Sequence, residues 1–327
     1  MKNKTGSFQI GRFLMDWGAI VAMVAAFVIF SVAAPQAFFS WANMVTILRS
    51  ISITAVIAMG ATFAFSAGVF DLSIGSTATM AAALSVTFIA WFGIPMPIAI
   101  LLTLVICMAI GGINAFFVIK THVPAFLATL AMQFILDGAE LTYSGGSLIN
   151  PKVAPAGRDI TLTAVPDLFN SLGKAPLIIL IMLACIAVVE LFQGQTKHGR
   201  FLYMVGSNPE AARLSGVKVN FYRTLAFMMT AVFAGIGGIL IVSRAGTVAA
   251  NAGSTFLMPA IAAVNIGAAV GGRGKPNAIG TFVGAALIGV VENGLYALAF
   301  PYYAINVVKG LILLLALVMS NYANKEN

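Results

Sequence analysis

The sequence predicts an all-α fold, a polytopic membrane bundle of about ten transmembrane helices, and three observations predict it. The 327 residues are 60% hydrophobic and only 9% charged, where soluble domains carry about a quarter charged residues; the mean hydropathy is +1.00. Apolar stretches close to the ~20 residues that a helix needs to cross a bilayer recur along the whole chain. Lysine and arginine are distributed unequally between alternate connections, as the positive-inside rule demands of a multi-span protein.

Ten candidate spans follow in order: 17–34, 44–66, 72–92, 97–119, 124–142, 176–193, 223–243, 254–271, 277–298 and 302–320. Pro35, Pro95, Pro97, Pro124, Pro176, Pro276, Pro301 and the glycines at 271–274 mark the breaks. Lys2, Lys4 and Arg12 precede the first apolar run, and the small residues from Ala33 to Ala37 imitate a signal-peptide cleavage site. In a chain of many spans a retained first helix is the better reading. With that N-terminus inside, the inner face receives Lys2, Lys4, Arg12, Lys120, Lys197, Arg200, Arg213, Lys218, Arg223, Arg273, Lys275 and Lys325. The outer flanks receive Lys152, Arg158, Lys174 and Arg244. Both termini are therefore expected in the cytoplasm. The net charge of +8 reads as topogenic loop charge rather than a nucleic-acid footprint. Cys107 and Cys185 lie within apolar runs and read as small buried hydrophobes, not as a disulfide or metal site.

The chain reads as a single membrane domain, 1–327, with a first half of about 1–142, an outer loop at 143–175 rich in Gly, Pro, Asn and Ser, and a second half at 176–327. The halves are faintly alike. Gly75-Ser-Thr and Gly253-Ser-Thr each open a span, Pro97 and Pro276 follow at nearly the same distance, and Asn114 and Asn293 follow those at the same interval. With opposite directions of crossing this is a five-plus-five inverted repeat.

Within the second half, the run from Gln193 to Arg223 must face water, with a candidate coupling segment at 194–222. At its centre Gly206-Ser-Asn-Pro-Glu-Ala-Ala-Arg-Leu-Ser-Gly216 encodes a short helix. Pro209 suits its first turn, Asn208 or Ser207 can cap it, Ser207 and Glu210 have capping-box spacing, and Gly216 is a natural stop. Such a helix, held out from a membrane bundle, either docks a soluble partner or lies on lipid headgroups.

Ionisable groups inside spans are expensive and are functional or paired. Asp71 and Ser73 sit between glycines at a break, where either can cap the following helix, and non-helical backbone at that depth requires a protein or aqueous environment. The break reads equally as a cap at the inner surface and as a pathway or gate. Thr129, Gln133, Asp137 and Glu140 fall on one helical stripe, which should face the bundle interior or a cavity. Glu292 and Lys309 each lie roughly 10 Å from the outer end of neighbouring helices at 1.5 Å per residue, so they read as a structural ion pair, with direct substrate contact as the alternative. Arg49, Asn265 and Asn306 are further intramembrane polar residues.

No phosphate loop is present: the Gly-Lys dipeptides Gly173-Lys174 and Gly274-Lys275 lack the following Ser or Thr. His122 and His198 stand apart from any ligand cluster, and no nucleophile–base pair is evident, so neither catalysis nor a metal site is expected. Any uphill transport must draw on a partner or an ion gradient.

At this point the residues resemble a family. Gly68-Val-Phe-Asp-Leu-Ser-Ile-Gly-Ser76 resembles the G-x-x-D-L-S-x-G-S segment of the ribose-type ABC importer permeases. His198-Gly-Arg200 with Gly206–Gly216 resembles their ATPase-contacting loop. Gly271-Gly-Arg-Gly274, Gly280-Thr-Phe-Val-Gly-Ala, Glu292-Asn-Gly-Leu295 and Val308-Lys-Gly-Leu-Ile312 are similar to their C-terminal pattern. The resemblance runs from about residue 44 to the C-terminus. It implies a permease subunit in the bacterial inner membrane, importing a monosaccharide or related polyol, with a vitamin-B12-importer-like (type II-like) helical architecture. It implies ATP-binding cassette subunits that carry ATP and Mg, an extracytoplasmic solute-binding protein and a second permease copy as partners, and no cofactor on this chain. The ATPase-coupling residues so implied are Asn208, Glu210, Ala211, Ala212, Arg213 and Gly216, with Ser207, Pro209 and Leu214 in the same segment. The polar break implied near the pathway is Asp71, Ser73 and Ser76, and Asn114, Gln133, Asp137, Asn265 and Asn293 are the other candidate path or gate residues. Two departures add acid to the outer half: Asp137, where relatives often carry a basic residue, and Glu292, where Asn is common. The alternative class is an ion-coupled carrier using Asp71 and Glu292.

Overall fold

A computed structural model describes residues 4–155, 157, 160–272, 274–301, 303–305, 307, 308, 310, 311 and 314, with the backbone alone for 4–16. Helices dominate the described residues, and a lone antiparallel bridge joins Ile149 to Val248. In order they are α1 (Lys4–Ala33), α2 (Pro35–Phe38), α3 (Trp41–Ser66), α4 (Ile74–Ala90), α5 (Met96–Lys120), α6 (Ala125–Ser144), α7 (Asp167–Leu172) and α8 (Leu177–Glu190). A π-helical turn (Leu191–Gln195) leads to α9 (Lys197–Ser207), α10 (Pro209–Leu214), α11 (Val219–Ala245), α12 (Leu257–Ala269) and α13 (Ala278–Ala297).

Among the described residues six helices are long and apolar enough to cross a membrane: α3, α5, α6, α8 with its π-turn, α11 and α13. Trp17–Ala33, Ile74–Ala90 and Ser254–Ala269 are shorter apolar helices. Nine of the ten expected spans thus fall on described helices, displaced at their ends by up to four residues except at α1, which begins at Lys4 instead of 17; the stretch 302–320 lies mostly outside the described residues. Within the segment 143–175, Asp167–Leu172 forms α7 and buries Phe169.

At the centre α11 packs against α3, α4 and α5, and α12 and α13 pack on each other and on α3. Small residues permit this, as membrane interfaces favour. A side-chain carbon at Gly60 would lie 2.8 Å from the Thr230 carbonyl, and one at Gly111 would strike the α11 backbone at Phe227. Buried hydroxyls join the layers without charge: Thr230 Oγ1 donates to Gly60 O (2.9 Å), and the Thr62 and Thr281 hydroxyls bond at 3.0 Å.

Between α3 and α4 the helical ladder stops. Gly68 takes φ +68°, and the chain runs irregularly through Asp71 before α4 begins at Ile74. Before α12 the chain is also irregular, with Asn251 at φ +56°. The two starts meet: a side-chain carbon on Gly75 would lie 2.9 Å from Ser254 Cα, one on Gly253 would strike Gly75 O, and Gly253 N donates to Thr79 Oγ1 at 2.9 Å.

Candidate functional site: the α9–α10 surface and the polar break

The short helix α10 is defined at both ends by side-chain and backbone chemistry. Asn208 is extended (φ −154°, ψ 98°), and its Oδ1 accepts from Ala211 N at 3.0 Å, with Pro209 in the first turn. At the other end Gly216 (φ +79°) closes a Schellman arrangement: Gly216 N donates to Arg213 O (3.0 Å) and Val217 N to Ala212 O (2.9 Å). Ser207 does not cap. It ends α9, and Asn208, with the extended backbone that a cap requires, takes that place. Ala212 is buried beneath, while Leu214 is 88% exposed beside the Glu210–Arg213 ion pair (3.6 Å). An exposed pair of this kind is worth little in stability, so these three side chains shape a surface more than they hold the fold.

The sequence led us to expect that the run from Gln193 to Arg223 faces water, and it does so only in part. Gln193, Gly199, Leu202, Val205 and Tyr222 are buried, because α9 is amphipathic and lays its apolar side on α3 and α11. Thr196 caps α9 by accepting from Gly199 N at 3.1 Å. Gln193 Nε2 donates to Ser66 Oγ at 3.1 Å, and Tyr203 Oη lies 3.1 Å from Gln193 Oε1 and 2.6 Å from Pro276 O. Sequence reading missed Ser66 and Tyr203. The only signal was a tyrosine on the apolar side of an otherwise charged segment.

In the break, Asp71 is 3% exposed, and its Oδ1 accepts from Ser73 N (2.9 Å) and Ser73 Oγ (2.6 Å). Asn114 Nδ2 from α5 donates to Ser73 Oγ (2.9 Å), and Leu72 N donates to Thr129 Oγ1 of α6 (3.1 Å). Asp71 therefore ties a two-residue turn instead of capping α4; Ser73 occupies the cap position with helical dihedrals and makes no cap bond. Ser76 is buried, and neither its Oγ nor Asn114 Oδ1 has a hydrogen-bond partner. The stripe on α6 turns inward: Thr129 and Glu140 are buried, with Gln133 and Asp137 half-buried. The Glu140 carboxyl faces Ser144 of its own helix and the Asn251 backbone, and Oδ1 of Asp137 completes no hydrogen bond.

Asp71, Ser73 and Asn114 thus come together, with Thr129 beside them at Leu72, whereas Asn265 and Asn293 bond elsewhere. Asn265 Nδ2 bonds its own helix at Ile261 O (2.9 Å). Asn293 pairs with Asn43 through two amide bonds (2.8 and 3.1 Å), fastening α13 to the start of α3. Lys309 and Asn306 lie outside the described residues, as does Arg273; among described groups Glu292 interacts with Arg244, which also feels Arg49. No group of three or more His, Cys, Asp or Glu that could hold a metal occurs among the described residues.

The described helices form a multi-pass bundle with one buried polar break between α3 and α4 and a short capped helix, α10, at its surface, the setting of a membrane permease component. Residues 43–317 match the family described as branched-chain amino acid transport system / permease component, and the chain belongs to that family. It is 33% identical to the ribose import permease protein RbsC of Haemophilus influenzae, over 98% of each chain. It is 30% identical to RbsC of Escherichia coli K12, over 94% of each. The xylose transport system permease protein XylH of Haemophilus influenzae is 28% identical, over 94% of this chain and 95% of its own.

Proposed function

We propose that the chain is the membrane-spanning permease subunit of an ATP-driven importer for a monosaccharide, a ribose-like pentose or related small sugar. The sugar class is taken from relatives similar to it end to end. The observation that carries the ATP-driven mechanism is α10, rigidly capped at Asn208, closed at Gly216, and offering Leu214, Glu210 and Arg213 to solvent. With no phosphate loop in the chain, this helix is the place where work done by a cytoplasmic ATPase enters. Ser207, Asn208, Pro209, Glu210, Ala211, Ala212, Arg213, Leu214 and Gly216 form the coupling segment. An extracytoplasmic binding protein delivers the sugar, and a second permease copy completes the pathway.

The topology we propose has ten spans in one domain, both termini in the cytoplasm and the inner membrane as location, following the excess of Lys and Arg on one side. The reciprocal approach of Gly75 and Gly253 supports an inverted repeat, since a local two-fold would relate the two helix starts. The sugar passes near Asp71, Ser73, Ser76, Asn114, Gln133 and Asp137, where buried polar atoms without partners, such as Ser76 Oγ and Asn114 Oδ1, are suited to hydroxyl groups or water.

Reconstitution in liposomes with the ATPase and the binding protein tests this. Sugar uptake should require ATP, and replacing Glu210 and Arg213 by Ala should separate hydrolysis from uptake while leaving membrane insertion intact. Unchanged uptake in that variant would sink the assignment. The buried carboxyl of Asp71 favours a second reading, an ion-coupled carrier using Asp71 and Glu292. That reading requires uptake to survive ATP depletion and to collapse with a protonophore.

A further inference from the structure

Gly206 lies in the last turn of α9, two residues before the Asn208 cap, and its backbone rests directly on the break between α3 and α4. A side-chain carbon at Gly206 would strike Ser66 O and lie 2.9 Å from Gly68 N. Conversely, one at Gly68 would lie 3.0 Å from Gly206 O and 3.1 Å from Gly206 Cα, at a residue whose φ of +68° already favours glycine. The contact is main chain on main chain, with no flexible side chain to absorb a displacement. Three residues beyond Gly68 stands Asp71, whose turn is held by Ser73, by Asn114 of α5 and, at Leu72, by Thr129 of α6.

A second arm leaves the same helix. Tyr203 Oη lies 2.6 Å from Pro276 O, in the connection between α12 and α13, and 3.1 Å from Gln193 Oε1, while Gln193 Nε2 reaches Ser66 Oγ. Asn277, the next residue, caps α13 by accepting from Gly280 N at 2.7 Å. One helix therefore touches the polar break of the first half and the helix start of the second.

We propose that α9 is the lever that carries displacement of α10 into the membrane, with the Gly206–Gly68 contact delivering it to the Asp71 break and Tyr203 delivering it to the α12–α13 connection. This rests on the docking of α10 to an ATPase. The break can respond because its backbone is held by a few side-chain bonds in place of a continuous helical ladder, and packed contacts switch between discrete arrangements instead of stretching. Gly206, Gly68 and Tyr203 are then positioning residues: they touch neither sugar nor nucleotide and act through Asp71 and Asn277.

The test uses the full transporter in liposomes and reads three quantities on one preparation: ATPase retained on the permease, sugar moved per ATP hydrolysed, and the ATP-induced change in deuterium exchange over residues 66–73. For Gly206→Ala the ATPase should be retained as in the wild type, sugar per ATP should fall at least about three-fold, within the range of single residues on a coupling path, and the exchange change over 66–73 should disappear. Wild-type values of the last two would overturn the lever. If Gly206→Ala does not assemble, Tyr203→Phe keeps the ring and removes the hydroxyl, and a wild-type ratio of sugar to ATP there overturns it equally. A wild-type permease that fails to retain any ATPase would instead overturn the docking of α10, and the lever with it.

Discussion

At Asn208 one side chain decides where α9 stops and α10 starts, because its Oδ1 satisfies a first-turn N–H that would otherwise be unbonded. Replacing it with Ala should cost about 1 kcal/mol of helix stability, read as weaker retention of the ATPase in pull-down, and Asn208→Asp should restore most of it. Equal retention by both variants would show that the cap does not matter to docking. Leu214 belongs to the same surface: Leu214→Asp should weaken ATPase binding more than Glu210→Ala, since a fully desolvated apolar anchor outweighs an exposed ion pair. Asp71 separates the two transport mechanisms. Asn at this position still accepts from Ser73 N and Oγ, so Asp71→Asn should retain much of the uptake and Asp71→Ala should lose it. Abolition of uptake by Asp71→Asn would favour an ionisable role and the ion-coupled reading. The sequence marked Asp71 and Ser73 correctly as a break, yet not how they bond, because capping and a two-residue turn place the same residue types at the same spacing.

Among elements, those with a strong apolar period or an unambiguous stop were legible. Pro124, Pro176 and Asn277 stand at the starts of α6, α8 and α13, and Gly216 ends α10 as its residue type foretold. At φ +79°, Gly216→Ala should cost about 1–2 kcal/mol and expose 214–218 to limited proteolysis; wild-type cleavage kinetics would count against the Schellman closure as the element's anchor. What the sequence concealed was α9. Its polar residues, Lys197, His198 and Arg200, mark it as surface, and only burial of Leu202 and Val205 against the bundle reveals an element that is half surface and half core. The π-turn at Leu191–Gln195 was hidden for a related reason: its effect is to bring Gln193 to Ser66, a contact between residues far apart in the chain.

For the whole molecule, composition and Lys/Arg bias sufficed for a multi-pass bundle, because the bilayer permits few spanning structures. Which polar residues meet was less legible. Asn114 and Asn293 occupy matching places in the two halves, yet one joins the polar break and the other pairs with Asn43 at the start of α3. Matching sequence positions acquire different neighbours once α11 fills the centre beside the first half. The permease alone should pass no sugar through liposomes. Whether α10 receives the work of an ATPase is decided by sugar uptake and ATP hydrolysis in one reconstituted preparation, wild type against Glu210→Ala/Arg213→Ala. The prediction is continued hydrolysis with sugar per ATP reduced several-fold; a wild-type ratio in the double variant would contradict it.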